Sequence, residues 1–291
     1  MSIKNQISLS GRTTEKIRQN SLHIEVIADY GGGHTTDHAF AEVRNHFFRF
    51  DSDHSVRMVT EHPVYAFSTI ETGFWIAQES LHSEHQDLVI FSNTAPRGDI
   101  AWNGDDRQFF VYGVLDNGIP IFAVNAGYNL SFIKERLEEL WIVKVPNTGT
   151  QFRSRDIYPE ATMAILSGDK TKIGEKVDIA KIPPIPQFKL ASVDGYGNLK
   201  TTIKKSHLAK ELLKSKILRV TINGYSHFAL NTLIPGVSGK IYDLCVVQGS
   251  SGGKQGNYLE LVRLQAKAAD DFKVIGPRDD MEKIRIEAVK S

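Results

Sequence analysis

Leu22-His23-Ile24-Glu25-Val26-Ile27-Ala28 runs directly into Asp29-Tyr30-Gly31-Gly32-Gly33, and this junction decides how the chain is read. The first segment alternates and is rich in β-branched residues, which is the pattern of a strand. The glycines break it. Beyond them Phe40, Val43 and Phe47 recur at helical spacing. A strand, a polar turn and a helix in that order open an α/β unit. The polar residue just past such a strand is where open α/β sheets build their sites. Asp29 holds that position.

Downstream the logic repeats. Residues 55–60 read as a strand, and Phe67, Ile70, Phe74, Ala77 and Leu81 mark one face of an amphipathic helix. Residues 87–92 are a buried-strand candidate, stopped by Asn93-Thr94-Ala95-Pro96-Arg97-Gly98. Residues 108–115 are another strand, closed by the turn Asp116-Asn117-Gly118. Residues 131–140 read as a helix and 141–145 as a strand. Strands alternating with helices predict a largely parallel sheet.

Past the proline-rich hinge Ile182-Pro183-Pro184-Ile185-Pro186 the character changes. Short alternating segments dominate, at 188–193, 216–222, 226–230, 240–247, 258–264 and 283–288, and only 207–215 reads as a helix. The expected architecture is an α/β N-terminal domain with a largely parallel sheet over residues 22–181. A smaller, mostly-β, barrel-like C-terminal domain follows over 187–291. Residues 1–21 are expected to be a partly ordered extension.

The bulk numbers narrow the function classes. The 291 residues are long enough for a large core and for two domains. Lys+Arg number 35 against 34 Asp+Glu, a net charge of +1. That balance gives no electrostatic reason to expect nucleic acid or an anionic membrane as partner. The lone cysteine, Cys245, rules out an internal disulfide framework and suits a reducing cytoplasm. No apolar stretch has the length of a signal-peptide core or of the roughly 18 residues that cross a bilayer. The expectation is a cytoplasmic protein with a small-molecule partner.

Local motifs are each open to a plainer reading. His34, Asp37 and His38 carry the i, i+4 histidine spacing of a metal site, but no glutamate stands between them as in a metalloprotease. A polar helix start with Asp37 near the cap is the preferred reading, and no metal is expected. Gly31-Gly32-Gly33 lacks the G-x-G-x-x-G spacing and any P-loop lysine, so it reads as a turn. The glycine-rich stretch at 249–254 resembles a phosphate loop by composition alone; it reads as a hairpin loop or a lid. No G-x-S-x-G elbow is present. His62 before Pro63 is an acid–base candidate or a turn histidine. Asp29, Asp194 and Asn198 each sit at a strand end among glycines, where a turn-capping role is the plain alternative.

Taken together these segments resemble the S-adenosyl-L-methionine hydroxide adenosyltransferase and fluorinase/chlorinase superfamily, from about Ile24 to Ala269. Ala28-Asp29-Tyr30-Gly31 is similar to its T-D-F-G/S-D-L-G, with Asp37 near the second acidic position. His62 through Ile76 matches, without gaps, a segment that carries a pocket aromatic, which would be Phe67. Leu115-Asp116-Asn117-Gly118-Ile119 is similar to P-D-N-G-L. Phe152-Arg153-Ser154-Arg155-Asp156-Ile157-Tyr158 is similar to F-H-G-R-D-I-F and to the fluorinase form F-Y-S-R-E. Residues 194–203 are similar to D-x-F-G-N-x-x-T-N-I, and Asn257-Tyr258-Leu259-Glu260-Leu261 to G-x-L-E-I.

The resemblance implies attack by water or halide on C5′ of S-adenosylmethionine, with release of methionine, in a homotrimer whose sites lie between subunits. It implies that Asp29 accepts hydrogen bonds from the ribose hydroxyls and that Phe67 flanks the sugar. Tyr196 would stack near adenine, Asn198 would meet the adenine edge, and Asp194 would pair with the methionine ammonium. Ser154 stands where fluorinase has its halide-holding serine. The chain also departs from the pattern. The water-activating aspartate has no counterpart at Thr94, the following arginine none nearer than Arg107, and the histidine is replaced by Arg153. Thr94 and Arg153 are not bases near neutral pH. Arg97 and Arg153 add positive charge that suits an anion. The expected function is a divergent adenosyltransferase, with Ser154, Arg153 and Thr94 as the catalytic group. The alternatives are a nucleoside-binding protein that has lost catalysis, or different chemistry on an anionic ligand.

Overall fold

In the computed structural model, which describes residues 21–31, 37–82, 87–95, 109–146, 152–241, 243–252 and 257–289, two seven-stranded sheets follow one another along the chain. The first contains β1 (Leu22–Ala28), β2 (Val56–Pro63), β3 (Leu88–Asn93), β4 (Phe110–Leu115), β5 (Pro120–Val124), β6 (Leu137–Val143) and β7 (Ile173–Lys176). Their order is β2-β1-β3-β5-β4-β6-β7. The pairings β1–β2, β1–β3 and β3–β5 are parallel, whereas β4–β5, β4–β6 and β6–β7 are antiparallel. The expected largely parallel sheet is therefore mixed. For β4 and β5 the reason lies in Asp116-Asn117-Gly118: Gly118 has φ +87°, and its N–H donates to the Leu115 carbonyl at 2.8 Å. Such a tight turn joins only antiparallel strands.

Helices cover both faces of this sheet: α1 (His38–Phe50), α2 (Thr69–His82), α3 (Arg153–Asp156) and α4 (Tyr158–Leu166). Alternate strand residues Ile24, Val26, Ala28, Val89 and Phe91 pack in one cluster with Phe40, Val43 and Phe47 of α1 and Ala161 and Met163 of α4. The intervening Ile27, Leu88, Ile90 and Val111 form a second cluster with Ile76 and Ala77 of α2. Burial on both faces explains why β3 reads as a nearly continuous apolar run.

Asp37 caps α1 as expected, its side chain accepting the Ala39 N–H at 3.0 Å. Ahead of α2, Phe67 falls outside the helix whose face it was predicted to share. It has φ +63° and is 44 % exposed. The helix begins beyond Ser68, whose hydroxyl accepts the Glu71 N–H at 3.3 Å. Residues 131–140 are not a helix. A single 3-10 turn at Lys134–Arg136 leads into β6, where Leu140 pairs with Gly113 and Glu139 with Val114. Pairing with β4 overrides the local preference of this Leu- and Glu-rich stretch.

The second sheet contains β8 (Leu190–Val193), β9 (Leu199–Lys204), β10 (Ile217–Ile222), β11 (Tyr225–Asn231), β12 (Leu244–Gln248), β13 (Tyr258–Arg263) and β14 (Arg285–Ala288). Its order is β14-β10-β11-β12-β13-β9-β8. Only β11–β12 is parallel. The two edges approach each other: Ile284 N–H, just before β14, donates to the Phe188 carbonyl, just before β8, at 2.6 Å. The sheet thus curls into a half-barrel around Leu190, Leu199, Val220, Val246, Leu261 and Phe272. The helix expected over 207–215 is split into a 3-10 turn, Lys205–His207, and the short α5 (Lys210–Lys214). A last helix, α6 (Ala268–Asp271), follows β13.

The two sheets are joined through α2. Its Ile70 and Phe74 pack against Ala191 of β8 and Tyr258 of β13. Glu71, with no exposed surface, accepts the Ser192 hydroxyl at 2.7 Å and the Tyr65 N–H at 2.7 Å. Asp279, far along the chain, accepts the Ile70 N–H at 3.0 Å and the Thr69 N–H at 3.2 Å. Residues 1–20, the glycine pair and histidine at 32–34, Arg97, Arg107 and the lysine at 254 lie outside the described residues.

Candidate functional site

Strand order reverses at β1. The chain leaves β1 for β2 on one side, then returns to place β3 on the other. In open α/β sheets the crevice beyond the carboxyl ends of two such strands is the ligand position. Asp29 follows β1 and Thr94 follows β3, so the sequence-predicted pair stands at that switch point. The strand ends are tied by the Asp29 N–H, which donates to the Asn93 carbonyl at 3.4 Å.

Around Asp29 the local structure is specific. Its Oδ2 accepts the Phe67 N–H at 2.9 Å, which helps hold Phe67 in its left-handed conformation. An aromatic residue at positive φ is uncommon and marks a functional candidate. Next door, the Tyr30 ring meets Phe40 edge-on at 5.1 Å. Burial pushes the Tyr30 phenol above the ordinary range, and the adjacent Ser154 hydroxyl opposes that only in part. Among the described residues no hydrogen bond of normal geometry closes on the Tyr30 phenol oxygen.

The other two predicted catalytic residues are held by their neighbours. Thr94 has no exposed surface; its hydroxyl lies 2.8 Å from that of Thr72, and its carbonyl accepts the Asn129 amide at 2.7 Å. Arg153 donates to the Pro146 carbonyl at 3.0 Å and lies over the Tyr158 ring at 5.7 Å. Arg155, beside it, binds Asp156 and Glu42 instead.

Asp194, Tyr196 and Asn198 occupy the turn after β8, on the other sheet. The Asp194 carboxylate accepts the N–H groups of Tyr196 and Asn198, both at 3.0 Å, and the Asn198 amide at 3.1 Å. Lys200 lies 3.9 Å away. This is the turn-capping role weighed from sequence, and it consumes much of the hydrogen-bonding capacity expected for a ligand. Tyr196 is 82 % exposed. Asp29, Phe67, Thr94 and Ser154 therefore belong to the first sheet and its helices, whereas Asp194, Tyr196 and Asn198 belong to the second.

A cleft of about 570 Å³ opens where the sheets meet, lined by His62, Trp75, Val193, Asp194, Asp270 and Ile275 among others. Behind it lies a polar cluster that sequence reasoning did not assemble. Glu25 lies 3.6 Å from His62 Nδ1 and 3.7 Å from His23 Nε2, and accepts a hydrogen bond from Thr60. Burial works to raise the Glu25 carboxyl, but His62, Thr60 and His23 together outweigh it and hold the group below the usual range. The distance to His62 is that of an ion pair rather than a hydrogen bond. Glu25 was visible as the one carboxylate inside an apolar strand; nothing local pointed to Trp75, Asp270 or Asp279.

No protein-family model matches the chain, and no curated protein matches it. Among solved structures, the chain is similar to an uncharacterized conserved protein from Thermotoga maritima, with a TM-score of 0.64 and 16% sequence identity. The match covers 91% of this chain and 99% of that one. At this identity the likeness concerns the fold, which the two proteins share over nearly their whole lengths.

Proposed function

We propose that the crevice at the carboxyl ends of β1 and β3 binds S-adenosylmethionine and that the protein transfers its adenosyl group. Water or halide attacks C5′, the C5′–S bond breaks with its electron pair passing to sulfur, and methionine leaves. When water is the nucleophile, its proton passes to solvent. The observation that carries this reading is the convergence of Asp29 and the Tyr30–Ser154 pair on the switch point. Asp29 supplies a carboxylate for ribose hydroxyls, a charge-assisted pairing. Phe67, whose N–H donates to the Asp29 carboxylate, flanks the sugar, and the Ser154 hydroxyl beside the Tyr30 phenol holds the anion or water. Good leaving-group chemistry at the sulfonium leaves the protein mainly to align the nucleophile and exclude bulk water.

The reading includes two domains divided near residues 181–187, a cytoplasmic location and a homotrimer. In the homotrimer the Asp194–Asn198 turn of one subunit supplies what the Asp29 crevice of another lacks. Calorimetric titration with S-adenosylmethionine and adenosine, with methionine release followed in chloride and in chloride-free buffer, tests it. Binding and methionine release, both lost in Asp29→Ala, are expected. Absence of methionine release under every condition removes the enzyme reading.

A second reading is favoured by the state of Thr94 and Arg153. One hydroxyl is sealed against Thr72 and one guanidinium is tied to Pro146 and Tyr158, so neither is placed to take a proton. On that reading the protein binds adenosine or S-adenosylmethionine without turnover.

A further inference from the structure

None of Asp29, Phe67, Thr94 or Ser154 lines the cleft between the two sheets, which has a chemistry of its own. One wall comes from β2 and α2: the His62 and Trp75 rings lie 4.6 Å apart between centroids, tilted at 45°. The opposite wall is built by the turn after β8 and by the segment from Lys267 to Ile275, with Val193, Ala269 and Val274 as its apolar part. Ile275 is 79 % exposed and stands at the mouth. The volume, about 570 Å³, is that of a small-ligand pocket.

Carboxylates dominate its surroundings. Among the described residues Asp194, Asp270 and Lys267 line it, and Lys200 stands 3.9 Å from Asp194. Glu25 stands 3.6 Å behind His62. On α2, Glu79 stands one turn after Trp75. A cation approaching this cleft meets an indole wall, aliphatic side chains and an excess of negative charge. An anion meets Lys267 and the His62 ring, with Lys200 turned to Asp194.

We propose that this cleft is a second ligand site, separate from the switch-point crevice, for a small organic cation: an ammonium group carried on an apolar or aromatic body. The ammonium lies toward Asp270, which lines the cleft at an exposed position. The apolar body lies against Trp75, Val274 and Ile275. The indole contributes as an aromatic wall, whose quadrupole attracts positive charge.

Three probes with one ring and different heads test this: benzylamine, benzyl alcohol and benzoate, each titrated into the full chain by calorimetry. Benzylamine is expected to saturate and to bind about three- to tenfold more tightly than benzyl alcohol, with benzoate weakest. Ile275→Arg and Asp270→Asn, both at exposed positions, are each expected to weaken benzylamine about threefold or more, with unchanged melting temperatures. The proposal is overturned if benzylamine shows no saturable binding, if benzoate binds as tightly as benzylamine, or if both variants bind benzylamine as the parent does. Its failure leaves the methionine-release test of the crevice untouched, because the two measurements use different ligands and different residues.

Discussion

At the scale of single residues, Glu25 shows how much of a site one can read from a strand. A carboxylate inside Leu22–Ala28 is out of place in an apolar run, and its burial demands partners. Those partners, Thr60 and His62, arrive from β2 and depend on strand register, which no local pattern specifies. The folded-state carboxyl titrates below its ordinary value of 4.5. A depressed carboxyl stabilises the fold above its unfolded pKa and loses that contribution as pH falls through the folded one. Glu25→Gln is therefore expected to lower stability by about 1–3 kcal/mol near neutral pH. The gap between variant and parent should narrow once pH drops below about 4.5. Urea midpoints of both proteins across that range check it; a gap that holds constant or widens would falsify the assignment. Asp194 teaches the complementary lesson. Its place among glycines allowed both a ligand contact and a turn cap, and the structure shows the cap.

At the scale of elements, α2 is the informative case. Its apolar face was legible from Ile70, Phe74 and Ala77, and it is buried as the spacing required. Its start was less so. Ser68-Thr69-Ile70-Glu71 has the form of a capping box, yet the Glu71 carboxylate reaches Tyr65 and Ser192. The first-turn N–H groups of Thr69 and Ile70 go to Asp279 instead. A carboxylate at a helix N-terminus satisfies otherwise orphaned donors and complements the helix dipole. Asp279→Ala should destabilise the protein by about 1–2 kcal/mol. Thermal unfolding reads this directly, and a variant as stable as the parent would show the contact to be idle. The misread helix over 131–140 has the opposite origin: its residues favour a helix locally, and only the β4 edge turns them into a strand.

At the scale of the molecule, the two sheets are not independent beads. Ile70 and Phe74 of α2 share a cluster with Ala191 and Tyr258, the Glu71–Ser192 bond is buried, and Asp279 reaches across to α2. Loss of either half leaves buried polar groups unpaired in the other. Differential scanning calorimetry is accordingly expected to show one cooperative transition, with calorimetric and van't Hoff enthalpies in agreement. Two resolved transitions would mean that the halves melt separately and that this interface is weak.

What the sequence by itself determined is the set of short-range facts. These are strands near Leu22–Ala28 and over 87–92, the capped helix beginning after Asp37, a turn at Asp116-Asn117-Gly118, and a change of character past the prolines. Each depends on periodicity, a side-chain cap or a glycine conformation, all of which act over a few neighbouring residues. The antiparallel placing of β6 and β7, the switch point at β1, the approach of Ser154 to Tyr30, and the cleft between His62 and Asp270 were decided by the tertiary structure alone. They require residues distant along the chain to meet. Which ones meet follows from strand order and the packing of α2 between the sheets, and long-range burial of apolar surface, rather than local propensity, selects that arrangement.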